Sequence, residues 1–314
     1  MKKTVAVIAI LLVVSVGLGL CAGSVWLAPE TWFRGDAAVL LQLRLLRMAA
    51  AFLVGGALAA AGAAYQAVLR NPLAEPYVMG VSAGAGLGAA AAVAAGAAVA
   101  LPGAAFLGAL LALGAVLLVA VRGGTLEPLR LLLSGVIVGT LASGILLFMV
   151  SCFSAAENQS LLWWMLGSLQ APEPRLLLAA AFIVPAGVAV LWSQGAAADI
   201  VSLGSELAHG FGVNVRRTFL LLLLTATLLA ATAVALAGII GFVGLLVPHC
   251  LRLLCGAANR RLFALSLFGG GIFLINCDTL ARSVWETAEI PVGVVTALAG
   301  APVFIYLLRH KAGR

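Results

Sequence analysis

The sequence predicts an all-α polytopic membrane protein of about ten transmembrane helices, with both termini in the cytoplasm. Composition is the first ground: 64% of the 314 residues are hydrophobic and 9% are charged, against about 25% charged in a soluble domain. The mean hydropathy of +1.18 agrees. The second ground is a series of ten apolar runs separated by polar or Gly/Pro-containing breaks. The third is where the basic residues fall relative to those runs.

The first run extends from Thr4 to Ala28 behind Lys2 and Lys3. At about 25 residues it exceeds the roughly 7 to 15 of a signal-peptide core. Leu20 precedes Cys21 where a lipoprotein cleavage box has a small residue, so this run predicts a retained first membrane helix. Further spans are predicted at Leu43 to Leu69, Val78 to Leu101, Ala104 to Val121, Leu131 to Phe153, Leu176 to Trp192, Thr218 to Leu236, Phe242 to Leu254, Leu262 to Trp285 and Val292 to Leu308. The Phe242 run is about 13 residues, short of the roughly 20 that cross a bilayer upright, which predicts a tilted or protein-buried helix. Asn158 to Leu169, with Trp163 and Trp164, reads as interfacial, because tryptophan favours the headgroup level.

An even number of spans puts both termini on one side. With the N-terminus in the cytoplasm, 13 of the 18 basic residues fall inside, and Arg34, Arg44, Arg47, Arg175 and Arg282 fall outside. That asymmetry satisfies the positive-inside rule. It also puts the longest polar interruption, Ala198 to Arg217, in the cytoplasm. This stretch carries Asp199, Glu206, His209, Arg216 and Arg217, with Gly204, Gly210 and Gly212 as breakers. Such polar groups cannot sit in hydrocarbon. Two short helices are expected between Ile200 and Phe211 with a break inside, and on periodicity alone they read equally as a solvated loop or as a docking surface for a soluble partner.

Several functions are excluded. Lysine occurs only as Lys2, Lys3 and Lys311, and a P-loop needs its lysine on the β and γ phosphates, so nucleotide energy must come from another subunit. No nucleic-acid patch is present. The five cysteines are scattered without a C-x-x-C pair, implying neither a disulfide framework nor zinc. His249 with Cys250 and Cys255 supplies too few ligands for a closed zinc site. Gly84-x-Gly86-x-x-Ala89 has the letters of a dinucleotide fingerprint, but no strand precedes it, and its glycines read as close helix packing. An ion-gradient-driven transporter would place ionisable groups near the midplane; here Asp278 is the nearest candidate and lies close to a span end.

Three patches resemble one family. Gly62-x-x-x-Gln66-x-x-x-Arg70-Asn71-Pro72-Leu73-Ala74-Glu75-Pro76 with Gly80-Val81-Ser82 is the first. Gly238-x-x-Gly241-Phe242-Val243-Gly244-Leu245-x-x-Pro248-His249 with Arg252, Asp278 and Arg282 is the second, and Glu289-Ile290-Pro291-Val292-Gly293 with Gly300-Ala301-Pro302 is the third. Together they are similar to type II ABC importer permeases for vitamin B12, haem and ferric siderophores. Cys21-Ala22-Gly23 with Trp26, Pro29, Trp32 and Phe33, and the closing Lys311-Ala312-Gly313-Arg314, resemble the B12 branch.

The resemblance implies a single transmembrane permease domain over 1–314 in the bacterial inner membrane. It implies a homodimer with two cytoplasmic ATPase subunits, which use ATP and Mg, and a periplasmic substrate-binding protein; no cofactor is implied in this chain. Coupling helices at about 198–215 would meet the ATPase through Leu203, Gly204, Glu206, Ala208 and Gly212. Arg44, Arg47 and Arg282 would dock acidic residues of the binding protein, the alternatives being snorkelling to lipid headgroups or, for Arg282, an i,i+4 pair with Asp278. A cytoplasmic gate would lie at Asn71 and just before Arg130, where Pro128 and Leu129 stand in place of the small hydroxyl residues of B12 relatives. That departure leaves cobalamin, haem and ferric siderophore open as substrates.

Overall fold

The computed structural model describes residues 2–32, 35–121, 126–170, 172–285 and 289–311. Of the residues named above, Phe33, Arg34, Ala312, Gly313 and Arg314 lie outside them, as do the side chains of Lys2, Lys3, Glu206 and Lys311. The described residues form thirteen α-helices and no strand. In chain order these are α1 (Lys2–Cys21), α2 (Asp36–Val68), α3 (Val81–Ala94), α4 (Leu101–Ala120), α5 (Pro128–Cys152), α6 (Ala155–Met165), α7 (Pro174–Ser193), α8 (Gly195–Leu203), α9 (Ser205–Gly210), α10 (Val215–Ala237), α11 (Val243–Cys255), α12 (Asn259–Ala281) and α13 (Val292–Lys311). Helices α1, α2, α4, α5, α7, α10 and α12 are long and apolar enough to cross a membrane, and α3, α11 and α13 carry shorter apolar segments.

Several boundaries differ from the sequence expectation, α2 for one beginning at Asp36 rather than Leu43. The first helix stops at Cys21 rather than Ala28, because Arg44 takes up its last carbonyls. The third predicted span reduces to the 14 residues of α3, which at 1.5 Å per residue covers about 21 Å. Left-handed Gly80 starts it, and Gly96, at φ +66°, follows its end. The ninth ends at Ala281, not Trp285, where Arg282 and Ser283 turn back onto the Asp278 and Leu280 carbonyls. The short eighth element is α11, one residue offset from its predicted start, and the segment expected to be interfacial forms α6, opened by a reciprocal Ser154–Glu157 capping box.

Helix α2 is the spine. Its 33 residues reach about 50 Å, and from Val54 to Val68 every residue is buried. Its most extensive partner is α12, followed by α10. Contact this close depends on missing side chains: a Cβ on Gly55 would overlap the backbone of Gly270, and one on Gly62 the backbone of Gly244. In lipid, helix association rests on such van der Waals approach, since tails are as apolar as leucine. Large side chains correspondingly face outward, as with Leu118, Leu147 and Phe182. The Gly84 reading is resolved the same way, for a Cβ there would meet Gly108 and Ala112 of α4.

Candidate functional site

Polar chemistry gathers at the two ends of the spine. At the end where α1 finishes, Arg44 donates through Nη1 to the carbonyls of Leu20 (2.6 Å) and Cys21 (3.0 Å) and through Nη2 to Val25 (2.6 Å). This satisfies carbonyls that a helix C-terminus leaves open and sets a cation at the negative end of the helix dipole. Arg47, one turn along α2, donates through Nε to both oxygens of Asp278 (2.9 and 3.0 Å) and through Nη1 to Glu289 Oε2 (2.7 Å). Arg282 donates through Nη2 to the Gly19 carbonyl, and its Nε lies 3.5 Å from Asp278 Oδ2, the i,i+4 pair weighed from sequence.

Asp278 is 1% exposed, and Arg44 and Arg282 are buried. Burial would raise the Glu289 carboxyl, but hydrogen bonds from Arg47 and Gln170 hold it below the usual carboxylate range. Three guanidiniums meet three carboxylates here, Asp278, Glu289 and Glu173, so the formal charges balance. The three arginines and Glu289 line a cleft of about 630 Å³ that Gln170, Glu173 and Pro174 complete. The structure therefore brings the three arginines together, as members of an internally partnered network rather than as free surface cations.

At the opposite end, α8 and α9 form two short helices broken at Gly204, whose φ of +136° suits glycine alone. Val201 and Ala208 are buried, whereas Leu203 (67%), Leu207 (54%) and Phe211 (69%) are exposed, giving an apolar edge on a polar segment. Gly212, at φ +72°, turns the chain into α10, where Asn214 Oδ1 accepts the Arg217 N–H. Two tethers fix α8. Asp199 Oδ1 accepts the Asn259 N–H at the start of α12 (2.8 Å), and Arg70 Nη2 donates to the Val201 carbonyl (2.9 Å).

Arg70 opens the loop between α2 and α3, held at φ +50°. Asn71 follows, its Oδ1 accepting the Leu73 N–H in an Asx turn. The loop is then fastened to the entrance of α11, where Glu75 Oε1 accepts the Phe242 N–H (2.7 Å) and Tyr77 donates to the Ile240 carbonyl (3.0 Å); Arg252, in the last turn of α11, donates to Gln66 Oε1 of α2 (2.6 Å). Burial raises the Glu75 carboxyl, a shift that the Phe242 N–H opposes.

Pro128 and Leu129 stand in the first turn of α5. That helix meets the loop two turns later, where Gly135 and Gly139 pack on Val78, Met79 and Gly80. Among the described residues no hydrogen bond or ion pair joins Asn71 to Pro128 or Leu129. In the sequence Arg70, Glu75 and Glu289 stand only as letters of a motif, and no spacing marks a partner for Asp199. Their partners lie 131, 167, 242 and 60 positions away, beyond any spacing rule.

Comparison with known proteins places these features in context. The FecCD transport family model matches residues 10–310. The Vitamin B12 import system permease protein BtuC of Yersinia pseudotuberculosis serotype O:1b is 38% identical over 310 residues, covering 97% of this chain and 92% of the relative. The protein of the same name from Yersinia enterocolitica is 40% identical, covering 95% and 90%. The Cobalamin import system permease protein BtuC of Halobacterium salinarum is 42% identical, covering 87% and 73%. A solved structure described as an inward-facing conformation of a metal-chelate type ABC transporter superposes with a TM-score of 0.88 at 29% identity, over 98% of this chain and 99% of its own.

Proposed function

The chain belongs to the FecCD transport family and is a multi-pass ABC importer permease subunit rather than an enzyme, and from that premise we propose that it carries cobalamin across the bacterial inner membrane. In this reading seven long and three shorter apolar helices make ten spans, with both termini in the cytoplasm. Two copies form a homodimer around a translocation axis. Separate ATPase subunits hydrolyse ATP with Mg on the cytoplasmic side, and a periplasmic binding protein delivers the ligand on the other.

The observation that carries the substrate is length-wide identity of 38% to 42% to permeases named for vitamin B12 or cobalamin. The mechanism draws on geometry. The apolar edge of Leu203, Leu207 and Phe211 gives an ATPase groove something to grip, and the Arg70 to Val201 bond ties that edge to the Asn71 gate loop. Movement of α8 would thus pull on the loop, with Pro128 and Leu129 as the facing gate from α5. On the periplasmic side, the cleft lined by Arg44, Arg47 and Arg282 would receive acidic residues of the binding protein, Glu289 and Gln170 sharing its lining.

A metal-chelate substrate is the second reading, favoured by the 0.88 superposition. The test is ATP-driven uptake into proteoliposomes holding this chain with its ATPase and binding protein, offered labelled cobalamin, haem and a ferric siderophore in parallel. Cobalamin uptake alone is expected. Uptake of haem or siderophore in its place would transfer the substrate to the second reading and leave the importer mechanism standing.

A further inference from the structure

A second cavity, of about 550 Å³, opens between the start of α1, the end of α7, the end of α11 and the start of α12. Its mouth is framed by Arg260 and Arg261, and its walls by Val5, Trp192, Leu254 and Leu265. The Arg260 guanidinium stacks over the Trp192 ring at 4.1 Å. Neither arginine forms an ion pair with a carboxylate among the described residues, and the first turn of α12 contains no acidic residue. The Asp199 carboxylate caps this helix start through the Asn259 N–H, and the two arginines stand beyond it as cations without a carboxylate partner among the described residues. Leu254 (69%) and Trp192 (43%) are exposed, so this groove opens to the side of the bundle.

Charge complementarity and shape together select a ligand with an anionic head and an apolar tail. We propose that this groove binds one anionic phospholipid of the cytoplasmic leaflet, its phosphate between Arg260 and Arg261 and an acyl chain along Val5, Leu254 and Leu265. The assignment rests on the cytoplasmic placement of α8, because Asp199 of α8 caps the start of α12 where the arginines stand. Basic pockets between membrane helices on that side suit anionic headgroups. Snorkelling alone would leave each guanidinium to any passing headgroup. Here Trp192 holds Arg260 at the mouth, so the pair presents a fixed site.

The test is native mass spectrometry of the purified full chain titrated with phosphatidylglycerol, phosphatidylcholine or inorganic phosphate. One phosphatidylglycerol is expected to persist at collision energies that strip phosphatidylcholine. Its affinity should fall about fivefold for each of R260Q and R261Q and about 25-fold for the pair, from roughly 1 kcal/mol per cation near an anionic headgroup. R216Q/R217Q, which removes two exposed arginines elsewhere on the same side, should leave it unchanged. Ala264→Trp, which fills the slot while keeping both charges, should also displace the lipid, with thermal melting confirming that each variant is folded.

Equal loss in R216Q/R217Q, equal retention of phosphatidylcholine, or competition by inorganic phosphate at the lipid's own concentration would each overturn the proposal. Lipid binding is read without ATPase, binding protein or cobalamin. If the transport reading failed, uptake would be absent with this lipid still bound.

Discussion

Asp278 shows how a single residue can hold one end of the molecule together. It accepts from Arg47 and lies against Arg282, buried at 1% exposure. Removing one partner of a buried ion pair leaves uncompensated charge, so Asp278→Ala is expected to destabilise by roughly 3–5 kcal/mol. A thermal midpoint within error of the parent would contradict this account. Glu289 gives a pH prediction. Its folded-state carboxyl is held below the ordinary range by Arg47 and Gln170 against the opposing effect of burial. Between the two values the unfolded chain binds more protons, so stability rises with pH there. The contribution is complete above the unfolded value of about 4.3 and is lost as pH falls through the lower folded one. Melting curves from about pH 6 to about pH 3 should show this acid loss, and Glu289→Gln should flatten it. The arginines were legible as unusual in the sequence, being cations where positive-inside would not put them. Their partners were not, since Arg47 and Asp278 are 231 positions apart.

At the scale of elements, the small-residue pattern of α2 becomes a packing requirement. Gly62→Val would push a side chain into the Gly244 backbone, where overpacking costs about 1–3 kcal/mol. Gly114 of α4 faces open space, so Gly114→Ala should instead stabilise by about 0.5–1 kcal/mol. Thermal melting of the two variants in one detergent compares them directly, and equal shifts would refute the close-approach argument. The paired short helices α8 and α9 were readable from glycine breakers in a polar stretch. The tethers of α8 to Arg70 and Asn259 were not, because neither follows a helical spacing. The 14-residue length of α3 was also hidden: Val78 to Leu101 is apolar throughout, and hydropathy does not register a helix that stops inside the apolar run.

For the whole molecule, the described carboxylates lie in loops, near helix ends or on the short α8, and the most deeply buried of them, Asp278, is engaged by two arginines. A gradient-driven carrier needs a carboxylate that loads and releases its ion. The chain alone in proteoliposomes is therefore expected to move no cobalamin under a proton or sodium gradient, and gradient-driven uptake without ATPase would refute the importer reading. The apolar helices and the exclusion of a P-loop follow from the residue string, because apolar runs and the lack of a suitable lysine are properties of local composition. Which carbonyl Arg44 caps, which carboxylate Arg47 grips, how α8 is tied to the loop between α2 and α3 and where two arginines frame an apolar groove depend on contacts between residues distant in the chain. Only the packing of α2 against α10, α11 and α12 brings such residues within hydrogen-bond reach.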